Sequence, residues 1–359
     1  MPLTKRAFVA GGANTNFIGK KHPDFIWKRH PDFGKKENPT YDQYLQEAVD
    51  GLLADTGVNP EDVDRLFIGN FTGELFVKQG HMGAALVGTN AAFSGKPATR
   101  LEGACASGGL AILAGLDAVA AGADIVLVAG VEVQTSVSAR EGGDFLARAS
   151  DYARQRNIDD FTFPALFARR VKAYQEKFGV SPEDIARVSV KAYNNANKNP
   201  KAHMKAVNLD LDSANASPGF LANADLNPYI RLSDCSQVSD GASAILLVSE
   251  KGLSKLGKSE SDVVEVVGRG HAVSSLFEDG DFTQLDTTAL ATEKAYCDAG
   301  VKPSQIQIAE VHDCFAVTEL MMYEAMGLAE LGKGADLLKD GTVSIEGRCP
   351  INTGGGLIG

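Results

Sequence analysis

Cys105 is the residue whose surroundings best suit nucleophilic chemistry. It stands in EGACASGG (102–109), directly before an Ala- and Leu-rich stretch at 110–121 that predicts a helix. The N–H groups and the macrodipole at a helix start stabilise a thiolate, and small neighbours leave room for a thioester to approach. The sequence therefore favours a nucleophilic thiol, and the alternative is a buried cysteine that only packs at the helix start.

A second group of reactive residues, His312 and Cys314, lies in VHDCF (311–315) at the end of a predicted strand, 307–311. Strand ends are where α/β proteins assemble their sites, and positions i and i+2 of an extended segment face the same side. Such a pair can donate a hydrogen bond and transfer a proton. Spacing alone leaves a structural alternative open, in which His312 caps the next helix and Cys314 is buried.

The five cysteines as a set argue against a disulfide framework and a thiolate zinc site, because their number is odd and no CxxC pair occurs. A reducing compartment is the better fit. His312 and Cys314 lack a third and fourth metal ligand at the usual spacing, so no metal is expected. Cys235 precedes a predicted strand, Cys297 lies in a predicted helix and Cys349 in a turn, so none of these three stands at a helix start.

An internal repeat organises the chain. Residues 48–70 and 291–313 match in register at an offset of 243. The matched pairs are Gly57 and Gly300, Val58 and Val301, Pro60 and Pro303, and Val63 and Ile306. Each copy predicts a helix that ends at the Gly, a turn with Pro, and a short buried strand, 65–69 in the first copy and 307–311 in the second.

Both copies extend beyond this segment. Each begins with a β-branched strand, 6–12 or 263–270, and each reaches a Gly-rich turn, 104–110 or 353–357. A helix and a further strand follow that turn only in the first copy, so we expect the sequence to be cut short. Alternating strands and helices in both copies predict an α/β architecture with mixed sheets and helical layers.

A stretch rich in Asn, Arg, Lys and aromatic residues, 133–232, interrupts the first copy. We interpret it as a loop domain inserted into an N-terminal half, 1–132 plus 233–255, and a C-terminal half, 256–359, follows. It holds 14 Lys and Arg against 11 Asp and Glu, a net of +3 that leaves −14 for the rest. This excess favours the docking of an anionic ligand, and a chance excess on a solvated surface is the open alternative.

The bulk composition excludes several classes of protein. The 359 residues, 44% of them hydrophobic, can bury a large core. No apolar run approaches the roughly 20 residues that span a bilayer, and the N-terminus lacks a signal-peptide pattern, so we expect no membrane partner and a cytoplasmic protein. The formal net charge of −11 argues against a nucleic-acid partner.

With these residues in view, the sequence resembles the thiolase superfamily, and within it the sterol-carrier-protein branch. The resemblance covers essentially the whole chain. Four motifs carry it in the correct order: EGACASGG at 102–109, LSDCSQVSDGASAILLVSE at 232–250, HDCF at 312–315 and INTGGGL at 351–357. HDCF is the most specific of the four.

The resemblance implies a thiolase fold, a duplicated five-layer αβαβα core with an inserted loop domain, in a homodimer or homotetramer. It implies an acetyl-CoA acetyltransferase type of acyltransferase, in which Cys105 attacks a 3-ketoacyl-CoA and carries the acyl group. His312 would help to form the oxyanion site for the thioester enolate, and Cys314 would act as acid and base at the α-carbon. Coenzyme A and acyl-CoA thioesters are then substrates, and no cofactor is bound permanently.

The resemblance also implies residues that contact the substrate. Phe163 and Pro164 resemble the part of the loop domain that lines the pantetheine, and Gly355 and Gly356 resemble the approach to the third catalytic loop. After the motif GGGLIG the family continues with a Gly-His-Pro loop whose His activates the nucleophile. We expect either that this loop lies beyond the given sequence or that the acylation base has been lost.

Three functions stay open at this stage. The first is a thiolase that makes or cleaves 3-ketoacyl-CoA. The second is a thiolase-fold acyltransferase or aldolase that works with an OB-fold partner protein. The third is a catalytically impaired acyl-CoA-binding protein. If the source is a eukaryote, the peroxisome is an alternative location to the cytoplasm.

Overall fold

The computed structural model describes residues 4–359 and divides them into two compact units. The first unit contains the chain up to Ile18, Phe25–Val137 and Ser239–Arg269. The second unit contains Gly19–Asp24, Ser138–Val238 and Gly270–Gly359. The three-part domain organisation drawn from the repeat stays a prediction. No helix within residues 4–359 is long and apolar enough to cross a membrane.

The first unit is built on one six-stranded sheet. Its strands are β1 (Phe8–Asn14), β2 (Arg65–Gly69), β3 (Ala98–Leu101), β4 (Ile125–Glu132), β5 (Gly241–Val248) and β6 (Val264–Glu265). With helices numbered along the whole chain, this unit holds α1 (Tyr41–Thr56), α2 (Gly73–Phe76), α3 (Met82–Val87), α4 (Ser107–Ala120) and α10 (Glu250–Lys255).

The strand order is β3-β2-β4-β5-β1-β6. Strand β2 runs parallel to both β3 and β4, whereas the pairs β4–β5, β5–β1 and β1–β6 are antiparallel. The carboxyl ends of β2, β3 and β4 and the amino end of β5 therefore share one edge of the sheet. In α/β folds this is the edge at which sites form.

Strand β4 is apolar from Ile125 to Val131 because helices cover both faces of the sheet. Leu127 and Ala129 pack in a buried cluster with residues of α1, and Val126 and Val128 pack on the opposite face with residues of α4. The period-2 alternation of a strand divides these side chains between the two layers. This packing fixes the position of α4 and of the residues at its start.

The second unit is mainly helical. Its helices are α5 (Ala139–Leu146), α6 (Tyr152–Gln155), α7 (Thr162–Phe178), α8 (Pro182–Ala196), α9 (Leu211–Asn215), α11 (Asp286–Ala299), α12 (Ala316–Ala325) and α13 (Gly334–Lys339). Its core includes Tyr174 of α7 and Tyr323 of α12, both fully buried. The mixed α/β fold class is thus confirmed.

The structure confirms three elements that the repeat predicts from short patterns: two helix ends and one strand. Helices α1 and α11 end at Gly57 and Gly300, whose φ angles of 66° and 67° lie in the left-handed region that favours glycine. The strand predicted at 65–69 is β2.

Two strand predictions are wrong. In place of a strand at 307–311 the structure has a single bridge between Ala309 and Ile351, and of 263–270 only β6 is formed. A strand is defined by the hydrogen bonds of its neighbours. Within residues 4–359 these segments find few partners, and Ile308 is left 59% exposed.

Candidate active site

Cys105 lies on a tight turn between β3 and α4. The chain leaves β3 at Leu101, passes through a short 3-10 turn at Ala104–Ala106 and enters α4 at Ser107, so the predicted place of Cys105 before a helix is confirmed. Ala104 has a φ of 51°, which is uncommon for a residue with a Cβ. Backbone strain of this kind is found at functional sites when the surroundings hold it in place.

Three hydrogen bonds hold this turn. The Ser107 hydroxyl donates to the Ala104 carbonyl at 2.7 Å and accepts the Gly103 N–H at 3.0 Å. The Glu102 carboxylate accepts the Ala104 N–H at 2.6 Å. The thiol of Cys105 is thereby carried on a fixed backbone, and Cys105 as a whole residue is exposed.

Gly69 allows the start of α4 to rest on the end of β2. A Cβ at this position would lie 2.6 Å from the carbonyl carbon and oxygen of Ser107 and 2.7 Å from the Gly108 nitrogen. Contacts this short with backbone atoms force the chain to move. The turn that carries Cys105 can therefore lie at this place only because Gly69 has no side chain.

The charge state of Cys105 differs from the expectation. Desolvation raises the pKa of its thiol above the ordinary value, and the negative charge of Glu132 raises that pKa further, against a backbone hydrogen bond that lowers it. The helix start alone would favour the thiolate. Desolvation and Glu132 prevail, so the resting thiol is protonated and must lose a proton in order to attack.

Glu132, the last residue of β4, is a functional candidate that sequence reasoning missed. Its Oε1 accepts the Phe71 N–H at 2.7 Å. Burial raises the pKa of Glu132 to about 7, against the lowering effects of the Phe71 N–H, of Gln134 and of Arg100. The available signal was the single acid that ends the apolar run IVLVAGVE, at the edge where the parallel strands end.

His312 and Cys314 lie in the second unit, on an extended segment before α12. Burial lowers the pKa of His312, so that its imidazole is neutral at neutral pH. Cys314 is buried, and its carbonyl accepts the Ser236 N–H at 2.9 Å. Neighbouring Phe315 stacks on Phe167 with ring centroids 4.3 Å apart.

Phe163 and Pro164 stand in the first turn of α7 and are half-buried. The Phe163 ring lies 6.2 Å, centroid to centroid, from that of Phe315, the residue after Cys314. The predicted pantetheine-lining segment and the HDCF motif are therefore neighbours within one unit.

Asp313 joins the HDCF segment to the Gly-rich turn. Its Oδ1 accepts the Leu357 N–H at 2.6 Å, and its carboxylate lies against the backbone of Gly356, whose φ is 65°. Gly355 is packed against α8, where a Cβ would lie 2.9 Å from that of Ala196. The structure thus brings the predicted Gly355 and Gly356 directly beside the HDCF segment.

The carboxyl group of Asp313 is fully buried, and its Oδ2 has no hydrogen-bond partner within residues 4–359. Desolvation raises the pKa of Asp313 to about 7, and the negative charge of Glu319 adds to the rise. Asp313 therefore titrates near neutral pH and is mostly protonated below it. Sequence reasoning passed over it in favour of its two neighbours.

A buried polar network supports the same place. Lys191 of α8 pairs with Glu319 of α12 at 2.7 Å and donates to the carbonyl of Ile351 at 2.6 Å. Asn352 donates to Glu319 at 3.0 Å and accepts the Val311 N–H at 2.8 Å. These bonds tie the segments before the HDCF motif and before the Gly-rich turn to two helices.

Comparison with known proteins identifies the family. The model of the thiolase N-terminal domain matches residues 31–211, and the model of the thiolase C-terminal domain-like family matches residues 268–359. The chain belongs to the thiolase family. The resemblance read from the four motifs is thereby confirmed.

Relatives of this thiolase include two enzymes named acetyl-CoA acetyltransferase. The one from Methanothermobacter thermautotrophicus is 33% identical over 87% of this chain and 79% of its own length, and the one from Methanocaldococcus jannaschii is 33% identical over 84% and 75%. Sterol carrier protein 2 of Gallus gallus is 29% identical over 89% of this chain and 58% of its own length. The prediction of an acyltransferase is confirmed.

A solved structure supports the fold. The Ltp2-ChsH2(DUF35) aldolase matches 99% of this thiolase and 86% of its own chain with a TM-score of 0.76 at 23% identity. This likeness confirms the thiolase-like fold.

The predicted site residues of the thiolase divide between the two units. Cys105 belongs to the first unit, and the second contains His312, Cys314, Phe163, Pro164, Gly355 and Gly356. None of the five cysteines, all of which lie within residues 4–359, forms a disulfide. Within residues 4–359 no group of three His, Cys, Asp or Glu side chains could hold a metal ion.

Proposed function

We propose that this thiolase makes or cleaves 3-ketoacyl-CoA through an acyl-enzyme on Cys105. One observation carries the proposal: an exposed thiol on a fixed, strained turn, at the start of α4 and at the site-forming edge of the sheet. A nucleophile so placed suits covalent catalysis because it is accessible and its backbone does not have to reorganise.

In the degradative direction the Cys105 sulfur attacks the C3 carbonyl carbon of the 3-ketoacyl-CoA. The C2–C3 bond then breaks, and its electron pair passes to C2 as the enolate of acetyl-CoA, which takes up a proton. The acyl group leaves the sulfur when the thiol of a second coenzyme A attacks the acyl-enzyme. In the synthetic direction the Cys105 sulfur attacks the carbonyl carbon of acetyl-CoA, and coenzyme A leaves as its thiol with the proton that Cys105 loses. A second acetyl-CoA then loses an α-proton, its α-carbon attacks the acyl-enzyme, and the bond from that acyl group to the Cys105 sulfur breaks, so that Cys105 takes up a proton again.

We assign His312 and Cys314 to the enolate step. A neutral imidazole can donate a hydrogen bond to the enolate oxygen, and donors of this kind are typically worth about 10²-fold or more in rate. Cys314 would transfer the α-proton. The guanidinium of Arg170 interacts electrostatically with Cys314. Phe163 and Pro164 would line the pantetheine and Gly355 and Gly356 the reacting end, with coenzyme A as substrate rather than as a resident cofactor.

We further propose a homodimer or homotetramer in the cytoplasm, or in the peroxisome of a eukaryote. A second candidate function is an aldolase or acyltransferase assisted by an OB-fold partner, and the likeness in fold to the Ltp2-ChsH2(DUF35) aldolase is the observation in its favour. The third candidate is a silent acyl-CoA-binding protein.

Turnover separates these candidates. The full chain is assayed for thiolysis of acetoacetyl-CoA by coenzyme A, and for carbon–carbon cleavage of a 3-hydroxyacyl-CoA without coenzyme A. Thiolysis that Cys105→Ser abolishes and Cys297→Ser leaves intact supports the proposal, since Cys297 is the other exposed thiol. Cleavage of the hydroxyacyl substrate alone supports the aldolase, and binding without either reaction supports the silent protein.

A further inference from the structure

A half-buried arginine of α7, Arg170, holds an irregular segment of the second unit in place. This segment, residues 281–285, leads into α11, and we name it the strap. The Nη1 atom of Arg170 donates to three carbonyl oxygens of the strap, those of Asp281 at 3.4 Å, Phe282 at 3.4 Å and Gln284 at 3.2 Å. One side chain therefore binds the backbone of most of the strap.

A second cation of α7 binds the strap as well. Lys177 donates to the Thr283 hydroxyl at 2.9 Å, and its Nζ lies 3.5 Å from the Asp281 carboxylate. That carboxylate also accepts the Thr283 N–H at 2.8 Å, and Thr283 is buried. The strap is therefore a closed turn that two cations hold on α7.

The face of α7 that carries Arg170 also contacts the HDCF segment. Residues 167, 170 and 174 follow the spacing i, i+3 and i+7, which places side chains on one face of a helix. Phe167 stacks on Phe315 with ring centroids 4.3 Å apart, and the Tyr174 hydroxyl donates to Glu324 of α12. Arg170 lies between these two contacts along the helix. It therefore holds the strap beside the HDCF segment.

Carbonyl oxygens, and not carboxylates, bind the Arg170 guanidinium. Within residues 4–359 Arg170 forms no ion pair, whereas Arg169 pairs with Asp279 at 3.9 Å. Both guanidinium groups lie over the Phe282 ring, at 4.4 Å for Arg169 and 5.8 Å for Arg170. A desolvated cation needs its hydrogen-bond acceptors, because losing them costs more than the bonds contribute. The guanidinium and the three carbonyl groups therefore fix each other's positions.

We propose that Arg170 is a positioning residue for the acyl-CoA substrate, because it fixes the strap as a wall of the pantetheine path beside the HDCF segment. This inference rests on the proposed function, in which Phe163 of the same helix lines the pantetheine. A substrate that binds against a disordered segment has to order it, and the cost of ordering weakens binding. Arg170 orders the strap before the substrate arrives, so this cost is avoided.

The test is Arg170→Ala, with guanidinium ion added back as a free solute. The matched control is Arg169→Ala, because Arg169 lies over the same ring but donates to no strap carbonyl within the described part of the chain. The full chain is assayed for KM and kcat in thiolysis of acetoacetyl-CoA. Hydrogen exchange of peptides that contain residues 281–285 is measured without substrate.

Both measurements are repeated with guanidinium chloride, urea or sodium chloride, each far below the concentrations that unfold proteins. Urea is planar and donates hydrogen bonds like guanidinium but has no charge, and sodium chloride controls for ionic strength. Arg170→Lys is the conservative variant, since it keeps the charge and loses the planar fork of donors. It also serves as the test variant if Arg170→Ala does not fold.

Arg170→Ala should raise KM by about tenfold and change kcat by less than about threefold, as expected for a loss of hydrogen bonds to a charged group that acts on binding. Exchange in the strap should become about tenfold faster, because its backbone loses the same bonds. Guanidinium should reverse most of both changes, whereas urea and sodium chloride should not. Arg170→Lys should lie between the two proteins, and Arg169→Ala should stay within about twofold of the unchanged protein.

Unchanged KM and unchanged strap exchange in Arg170→Ala would overturn the proposal. A loss of kcat and of thermal stability that guanidinium does not reverse would overturn it too, because that result shows a role in folding only. Faster strap exchange with an unchanged KM would overturn the role toward the substrate. If even the unchanged protein does not turn over acetoacetyl-CoA, the proposed function fails. The exchange measurement needs no substrate and then decides by itself whether Arg170 fixes the strap.

Discussion

Replacement of Asp313 by Asn should change how the stability of the second unit depends on pH. Asp313 is 0% exposed, and burial together with Glu319 raises its pKa from 3.8 to about 7. A carboxyl group whose pKa is higher in the folded than in the unfolded state binds more protons when folded. The free energy of unfolding therefore falls as pH rises from about 4 to about 7, and is level above that.

The magnitude follows from the two pKa values. They differ by about three units, and each unit corresponds to about 1.4 kcal/mol. At pH 5 the free energy of unfolding has already fallen by the equivalent of about one pKa unit. Ionisation of Asp313 should therefore lower it by a further amount of about 3 kcal/mol between pH 5 and pH 8. Asn cannot ionise and keeps an oxygen for the Leu357 N–H, so the free energy of unfolding of Asp313→Asn should not show this fall with pH.

The assay is urea unfolding at pH 5, 6, 7 and 8, followed by circular dichroism and by hydrogen exchange of peptides that contain residues 311–315. The comparison is between the slopes of the free energy of unfolding against pH. Any cost of the buried amide that does not depend on pH leaves these slopes unchanged. The control is Asp340→Asn. Asp340 is exposed, and its pKa is lowered by Thr342, so its replacement should not alter the slope in this range. Parallel curves for Asp313→Asn and the unchanged protein would show that ionisation of Asp313 does not cause the fall in stability.

Three further predictions concern other positions. Gly69→Ala should destabilise the protein by about 1–3 kcal/mol and slow acylation of Cys105, because its Cβ meets the backbone of Ser107; thermal unfolding and acyl labelling measure this. Lys191→Met should destabilise by about 3–5 kcal/mol in urea unfolding, because it leaves Glu319 buried without its partner. Cys314→Ser should abolish exchange of the acetyl-CoA α-protons, followed by NMR in deuterated water, and leave acylation intact.

Each of these variants has a control. Gly109→Ala adds a Cβ that meets nothing within 4 Å, so it should not destabilise the protein. Arg187→Met removes an exposed pair with Glu183 and should cost less than about 1 kcal/mol. Cys349→Ser replaces another buried thiol and should leave proton exchange unchanged. Equal effects of a variant and its control would contradict the corresponding prediction.

The sequence was sufficient for features that are decided locally. The Gly residues that end α1 and α11, the strand β2 and the helix behind Cys105 follow from short patterns, and the structure has them. The strand expected at 307–311 depended on neighbours that only tertiary structure supplies, and it is reduced to one bridge.

The charge states of the site could not be read from the sequence. The helix start behind Cys105 suggested a thiolate, whereas desolvation and Glu132 keep the thiol protonated. Glu132 and Asp313 each look like an ordinary acid in the sequence. Their raised pKa values come from burial, which depends on how distant segments pack.

The proposed mechanism depends on an acyl group carried by Cys105, and the mass of the peptide that contains Cys105 is its most direct test. The full chain is mixed with acetyl-CoA, quenched in acid and digested, and the peptide that contains Cys105 is weighed. We expect that this peptide gains one acetyl group, that the peptide of exposed Cys297 does not, and that Cys105→Ser prevents the gain. An unmodified Cys105 peptide, with acetyl-CoA or with acetoacetyl-CoA, would contradict it.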